Sequence, residues 1–311
     1  MLIFSPMSII KGLLRSMRFR SWTKNLFVFA GILFSRRWSD GQALSMSALG
    51  ALGFCLLSSS IYMINDISDR ERDRFHPDKK TRPIASGELP VWLAAVAAAV
   101  LAVGVLSASW IYVREYATVV TIYFVMQLAY SFKLKHVVIL DVLIIAMGFV
   151  LRALAGVTMV RDAGYTDTVI SPWLMVCTFF LAVFLAFAKR RFELVSLGDN
   201  AAGHRKILQE YSPGLLDEMM GIASASCIIG YSIYTVSDRT MEMVSTKLWV
   251  TIPFVAFGVF RYLYLVHIKG HGGSPDRILL SDTPLLLNIL LWLLAVILAL
   301  VFFPGVVPGA A

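Results

Sequence analysis

Residues 43–64 read ALSMSALGALGFCLLSSSIYMI, without a single charge, and run directly into Asn65-Asp66-Ile67-Ser68-Asp69-Arg70-Glu71-Arg72-Asp73. A bilayer core asks for roughly 20 apolar residues per helix, and the run meets that length. Backbone inside a bilayer must satisfy its own hydrogen bonds, and the run is too long for a barrel strand, so it is predicted to be a spanning helix. Comparable runs lie at approximately 25–38, 90–112, 117–132, 137–158, 171–188, 215–236, 247–267 and 284–304. The sequence therefore predicts an all-α integral membrane protein of about nine transmembrane helices.

Composition agrees. The chain has 311 residues, 58% of them hydrophobic and 15% charged, whereas a soluble domain has about 45–50% and about 25%. The net charge of +8 is a matter of topology. With the N-terminus inside, twenty Lys and Arg fall on the inner side and six on the outer side, namely Arg36, Arg37, Arg114, Arg161, Arg239 and Lys247. Arg152 and Arg261 lie within spans. The positive-inside rule places the N-terminus in the cytoplasm, and attraction to anionic lipid accounts for the basic balance without nucleic acid. The cysteines Cys55, Cys177 and Cys227 all fall in predicted spans and suggest neither a disulfide framework nor a zinc site. His267 and His271 have helical spacing, but Gly270 and Gly272 argue for a loop.

The N-terminal stretch lacks the h-region of a cleavable signal. Lys11, Arg15 and Arg18 fall at i, i+4, i+7, with Ile10, Leu13, Leu14 and Met17 elsewhere on the wheel. This predicts a helix within residues 1–22 lying in the cytoplasmic membrane surface. No separate soluble domain is expected: 1–311 reads as one transmembrane catalytic domain. Inner loops at roughly 66–89 and 189–214 are expected to be long enough to fold over a site.

On a helix Asp66, Asp69 and Asp73 fall within about 60° of one another. Like charges on one stripe repel and, at the end of a span, carry a desolvation cost. Two readings follow. Hard carboxylate oxygens suit Mg²⁺ bridged to a substrate phosphate; alternatively the stripe is a solvated helix end neutralised by Arg70, Arg72 and Arg74. Lys79-Lys80-Thr81-Arg82-Pro83-Ile84-Ala85-Ser86-Gly87 follows, with Pro83 and Gly87 expected to punctuate a loop. Alone it is ordinary inner-side charge; beside a metal stripe it suits phosphate binding. Asp141 and Arg152 lie about 16 Å apart along one predicted helix and within about 20° on its wheel. Each needs a polar cleft or a partner on another helix. Lys133 and Lys135 precede Asp141, and Lys189, Arg190, Arg191 and Glu193 are expected to end the sixth span. With Lys24 they are either snorkelling anchors or cations converging on one cytoplasmic mouth.

The pattern Asn65-Asp66-x-x-Asp69-x-x-x-Asp73, followed by Arg82-Pro83-Ile84-Ala85-Ser86-Gly87, resembles the first motif of the UbiA superfamily of intramembrane transferases. That resemblance implies a bundle of about nine helices with a polar cleft on the cytoplasmic side and Mg²⁺-diphosphate chemistry. The usual second motif, Asp-x-x-x-Asp, is not matched: Asp141 is followed four residues later by Ile145. Arg20-Ser21-Trp22-Thr23-Lys24-Asn25, Tyr130-Ser131, Gly148 through Gly156, Lys189 through Glu193, His204-Arg205-Lys206 and Tyr211-Ser212 are similar instead to decaprenyl-phosphate phosphoribosyltransferases.

The branch implies 5-phosphoribosyl 1-diphosphate (PRPP) as donor and a polyprenyl phosphate held in the membrane as acceptor. Asp66, Asp69 and Asp141 are the expected catalytic residues, and Asn65, Asp66, Asp69 and Asp73 the expected Mg²⁺ ligands. Lys24, Asn25, Tyr62, Lys80, Arg82, Lys133, Lys135, Arg152, Lys189, Arg190 and Arg191 are the expected substrate-binding set. Partners are then PRPP, the polyprenyl lipid, membrane lipids and optionally further copies of the chain, in the cell membrane with the active site cytoplasmic. Two other functions compete. A prenyltransferase acting on an aromatic acceptor would share the first motif; a transporter would suit Asp141 and Arg152, although no repeated pair of broken helices is visible.

Overall fold

The computed structural model describes residues 6–75, 79–168, 171–197, 206–273, 278 and 281–305. His204, Arg205, Arg277 and the Lys206 side chain lie outside them. The described residues are helical throughout apart from connections, one isolated bridge between Ser245 and Pro304 being the only strand-like pairing among them. Seven segments are long and apolar enough to cross a membrane: α3 (Gly41–Ser68), α6 (Val91–Tyr112), α8 (Leu140–Asp162), α9 (Pro172–Leu197), α10 (Pro213–Val236), α12 (Ile252–His267) with the 3-10 turn before it, and α13 (Thr283–Phe302); the short α11 (Asp238–Met243) follows α10. The protein is an integral membrane protein.

The two remaining expected spans are of a different kind. Residues 117–132 lie on α7 (Arg114–Phe132), whose apolar run is interrupted by Arg114, Glu115, Thr118, Thr121 and Gln127. Residues 25–38 are not one α-helix. A 3-10 helix runs from Phe19 to Phe29, a short α2 (Ala30–Phe34) follows, and Arg36 ends it in a left-handed conformation with φ 58°. Ahead of them lies α1 (Pro6–Ser16).

Chain contacts divide the protein into two compact units. The first takes the residues up to Leu33, Arg37–Val137 and Leu151–Thr168; the second takes Phe34–Arg36, Val138–Val150 and the described residues after 168.

In the first unit α3 is the hub. Ser58, Ser59 and Ser60 follow one another, so each points about 100° from the last, and each bonds a different neighbour. Ser58 lies 3.4 Å from the Tyr123 hydroxyl on α7. Ser59 donates to the Met17 carbonyl at 2.9 Å and accepts from the Trp22 indole at 3.1 Å. Ser60 donates to the Ala98 carbonyl on α6 at 2.8 Å. Without a hydrophobic force between helices in lipid, such bonds and close packing hold the bundle. Ala94, Ala98 and Ala102 of α6 are buried, four residues apart, whereas Trp92, Val96, Val100 and Val103 are exposed as lipid-facing side chains must be. The 3-10 helix eclipses i and i+3, which sets Trp22, Asn25 and Val28 on one face; Asn25 and Val28 are buried, and the Asn25 amide donates to the Cys55 thiol at 3.2 Å. Val28 crosses α8 so closely that a Cβ on Gly156 would sit 1.8 Å from the Val28 carbonyl oxygen.

In the second unit α9 packs along α10, and Phe184, Phe187, Leu216, Met220, Tyr262 and Leu265 share one core with the start of α8. Ser212 caps α10 by accepting from the Leu215 amide, and Asp282 caps α13 by accepting from the Leu285 amide at 2.9 Å. Asp282 also takes two bonds from Arg261, at 2.9 and 3.1 Å.

Much of what is described of the two expected inner loops is helical. Residues 66–89 hold the end of α3, then α4 (Arg70–Phe75), a 3-10 turn Lys79–Thr81 and the one-turn α5 (Pro83–Ser86). Pro at the first helical position and Gly87 at φ 84° bracket that turn, so the two residues frame a helix rather than a loop. In the second, α9 continues through Lys189–Arg191 to Leu197, supported by Arg190–Glu193 and Lys189–Glu193 pairs one turn apart.

Candidate functional site

In the first unit α3 ends at Ser68, Asp69 takes its C-cap, and α4 begins at Arg70. The acidic residues therefore sit across a slight helix break rather than on one stripe, although the Asp73 amide still bonds the Asp69 carbonyl. Asp66 and Asp73 are 2% and 3% exposed, so their charges need partners. These are not Arg70, Arg72 and Arg74: Arg70 and Arg74 pair with Glu71, and Arg72 is exposed. The compensating cations come from far along the chain. Arg82 donates to Asp66 Oδ1 at 2.9 Å and to Asp73 Oδ2 at 2.6 Å. Lys135 donates to Asp69 Oδ1 at 2.7 Å and reaches Asn65 Oδ1 at 3.4 Å, while the Asn65 amide donates to Asp69 Oδ2 at 3.2 Å. Arg18 donates to Asp66 Oδ1 through a short contact and lies over the Tyr62 ring, 5.0 Å from its centroid.

Local chemistry sets these cations in place. The residue before a proline is driven to extended backbone, and Arg82 adopts φ −66°, ψ 140° with Pro83, Ile84 and Ala85 buried behind it. Arg18 was expected on the face of α1 with Lys11 and Arg15. It is not there: α1 ends at Ser16 and Arg18 turns left-handed at φ 53°. Arg15 holds Glu88 and the Thr81 carbonyl. Burial pushes the Asp73 carboxyl up from 3.8, opposed by the Arg82 and Lys79 charges.

A second polar centre of the first unit surrounds Arg152, buried on α8. Its Nε donates to Asn25 Oδ1 at 2.8 Å and its NH2 to the Tyr123 hydroxyl at 2.7 Å, with the Tyr123 ring 4.9 Å away. Lys24, next to Asn25, is half-buried, while Lys80 and Lys133 are exposed.

The second unit holds Asp141, fully buried, paired at 2.8 Å with Arg190, which is 2% exposed and also donates to Glu193 at 2.9 Å. The Tyr211 hydroxyl donates to Asp141 Oδ1 at 3.1 Å and accepts from the Ile139 amide at 2.6 Å. Ile139 has φ 67°, unusual for a β-branched residue. Burial pushes the Tyr211 phenol up to about 12, so it remains a donor. Arg191 pairs with Asp217 on α10, and Lys189 is exposed.

Asp141 and Arg152 thus each find partners on other elements, as their spacing required. Tyr123, Tyr211 and Asp217 were missing from the sequence-based set, and Arg18 was assigned to a different role. For Tyr123 the available signal was a polar tip within an otherwise apolar stretch; for Tyr211 it was the Tyr211-Ser212 pair already noted in the sequence. No group of three or more His, Cys, Asp or Glu poised for a metal occurs among the described residues. Mg²⁺ needs fewer, being held by one or two carboxylates, waters and substrate phosphate. Asp66 Oδ2 fits that requirement: it is a buried carboxylate oxygen without a hydrogen-bond partner.

Residues 25–208 match the UbiA prenyltransferase family. Proteins named decaprenyl-phosphate phosphoribosyltransferase are similar along nearly their whole length. The one from Mycolicibacterium smegmatis is 33% identical over 93% of this chain and 92% of its own. That of Mycobacterium tuberculosis is 30% identical over 96% and 97%, and that of Corynebacterium glutamicum 31% over 96% and 90%. Among solved structures, a UbiA homolog from Archaeoglobus fulgidus bound to GPP and Mg²⁺ superposes with a TM-score of 0.70, covering 93% of this chain and 99% of that one at 18% identity.

Proposed function

Because the chain belongs to the UbiA prenyltransferase family, we propose that it transfers the 5-phosphoribosyl group of PRPP to a polyprenyl phosphate, releasing diphosphate. The observation that carries the choice of donor is the end-to-end similarity to three proteins with that name. The site is compatible: Ile145 stands where a second metal-binding aspartate would, and the Asp141 carboxylate is engaged by Arg190 and Tyr211.

In the proposed reaction the bond between the anomeric carbon and the diphosphate oxygen breaks, with oxocarbenium character. An acceptor phosphate oxygen bonds to that carbon, and the electron pair leaves with the diphosphate. Mg²⁺ would be held by Asp66, with Asn65, Asp69 and Asp73 around it, and would neutralise charge on the leaving group. The acceptor phosphate is already largely anionic, so no general base is required. Arg82, Lys80, Lys24, Lys133 and Lys135 are assigned to donor phosphates, with Tyr62 beside them. Arg152, oriented by Asn25 and Tyr123, is assigned to substrate in its polar centre. Asp141, held by Arg190, is assigned to a ribose hydroxyl, and Lys189 and Arg191 to a phosphate. The donor is soluble and highly anionic, so it enters from the cytoplasmic side, in the cell membrane. There α1 lies on the surface with Met7, Ile10 and Leu14 exposed toward lipid.

The test offers purified protein and Mg²⁺ either PRPP with a polyprenyl phosphate or a prenyl diphosphate with a phenolic acid, the lipid product being identified by mass. A phosphoribosylated lipid formed only in the first reaction and abolished by EDTA is the expected result. A prenylated aromatic would overturn the donor. Asp66→Asn and Asp69→Asn should each abolish turnover in protein that remains folded; normal rates in both would remove the acidic residues from the reaction.

A further inference from the structure

Nothing in the acidic motif itself calls for Arg18, yet three observations meet there. First, Arg18 lies outside α1 and is the N-cap of the 3-10 helix, left-handed at φ 53°, with its carbonyl accepting from the Ser21 amide at 2.7 Å. Second, its guanidinium is stacked on Tyr62 and pairs with Asp66, the one carboxylate it reaches among the described residues. Third, that carboxylate is unevenly used. Oδ1 takes both Arg18 and Arg82, while Oδ2 is buried without a partner.

Charge adds a fourth consideration. The three carboxylates of Asp66, Asp69 and Asp73 are paired with three cations, Arg18, Arg82 and Lys135, Arg82 serving both Asp66 and Asp73. Arg82 is tied to two carboxylates and Lys135 to Asp69 and Asn65, so both are anchored in the cluster. Arg18 is attached by one carboxylate and one ring. A balanced cluster attracts a divalent cation weakly, and a guanidinium on the same carboxylate repels it further.

We infer that Arg18 is a placeholder cation: it neutralises Asp66 while the metal is absent, and its side chain swings away when a divalent cation arrives with diphosphate. The inference rests on the metal assignment of the preceding subsection. It gives Arg18 a sign opposite to that of a structural or substrate-binding arginine. Removing a substrate-binding or structural arginine weakens binding; removing a placeholder tightens metal binding and makes the metal-free protein less stable.

The experiment uses the full chain in detergent with Mn²⁺ as probe, free Mn²⁺ being counted by electron paramagnetic resonance with and without inorganic diphosphate. No turnover is involved. Arg18→Gln and Arg18→Met, the latter retaining contact with Tyr62, should each lower the apparent Mn²⁺ dissociation constant by about tenfold or more without diphosphate. Unchanged or weaker binding in both overturns the inference. If the variants are unstable without metal, millimolar Mg²⁺ should restore their melting temperatures to near wild type, and failure to do so also overturns it. Asp66→Asn separates the two levels of the argument. Mn²⁺-diphosphate binding by wild type that is lost in Asp66→Asn leaves the metal assignment standing, whatever Arg18 does. Binding that survives Asp66→Asn removes both.

Discussion

Replacing Arg190 by Met should be among the most damaging single changes in the protein. Arg190 and Asp141 are 2% and 0% exposed, so the substitution strands a carboxylate inside the second unit with only the Tyr211 hydroxyl. Breaking one side of a buried pair costs about 3–5 kcal/mol, roughly two to nearly four powers of ten in the folding equilibrium. Asp141→Asn should cost less, about 1–3 kcal/mol, because Arg190 keeps Glu193 at 2.9 Å. The double variant removes both charges, so its loss should fall about 2–3 kcal/mol short of the sum of the singles. Unfolding in mixed micelles under an SDS titration measures all three. The reasoning fails if Arg190→Met costs less than about 1 kcal/mol, or if the two losses simply add, since either outcome means the pair is not what satisfies Asp141.

The same substitution should have opposite effects at two glycines. Gly156→Ala places a methyl 1.8 Å from the Val28 carbonyl oxygen, and the protein should lose several kcal/mol or fail to fold; Gly104→Ala meets nothing within 4 Å and should be neutral or gain up to about 1 kcal/mol, both read as melting temperature. Tyr211→Phe leaves the Ile139 amide and Asp141 each one bond short and should cost about 2–3 kcal/mol by the same titration. Arg261 holds the Asp282 carboxyl below its usual 3.8, and the Leu285 amide adds to this. The stability this confers is present above pH 3.8 and lost as pH falls through the lowered value, so melting temperature should drop in that acid range. Asp282→Asn, which keeps a capping side chain, should flatten that drop; an unchanged slope would remove the pair from the pH response.

The acidic end of α3 was legible because residue type, spacing and position at a span's end are local facts. Its partners were not, because they are non-local. Arg18 and Lys135 lie 48 and 66 residues from the carboxylates they hold, whereas Arg70, Arg72 and Arg74 looked suitable only because they are adjacent. In the structure Arg70 and Arg74 pair with Glu71 and Arg72 is exposed. The spacing of Asp141 and Arg152 foretold that each needed outside partners but held no information on which. The 3-10 helix is not legible because the expected span over residues 25–38 rests on apolar content, which does not distinguish a period of 3.0 from one of 3.6. The continuation of α9 past Arg191 is legible in the Lys189–Glu193 and Arg190–Glu193 spacings, although a basic cluster is also the mark of a membrane boundary.

Ser58, Ser59 and Ser60 grip three different neighbours and so lock the rotation of α3 about its own axis, much as splines lock a shaft. Asp66 lies six residues further along the same rigid helix and inherits that setting. Adding or deleting one residue between them would turn its carboxylate by about 100° and displace it by about 1.5 Å, away from Arg18 and Arg82. No side-chain replacement could undo that error. The interval between Ser60 and Asp66 should therefore accept changes of residue identity but not of length, a constraint on the sequence imposed by geometry rather than by chemistry.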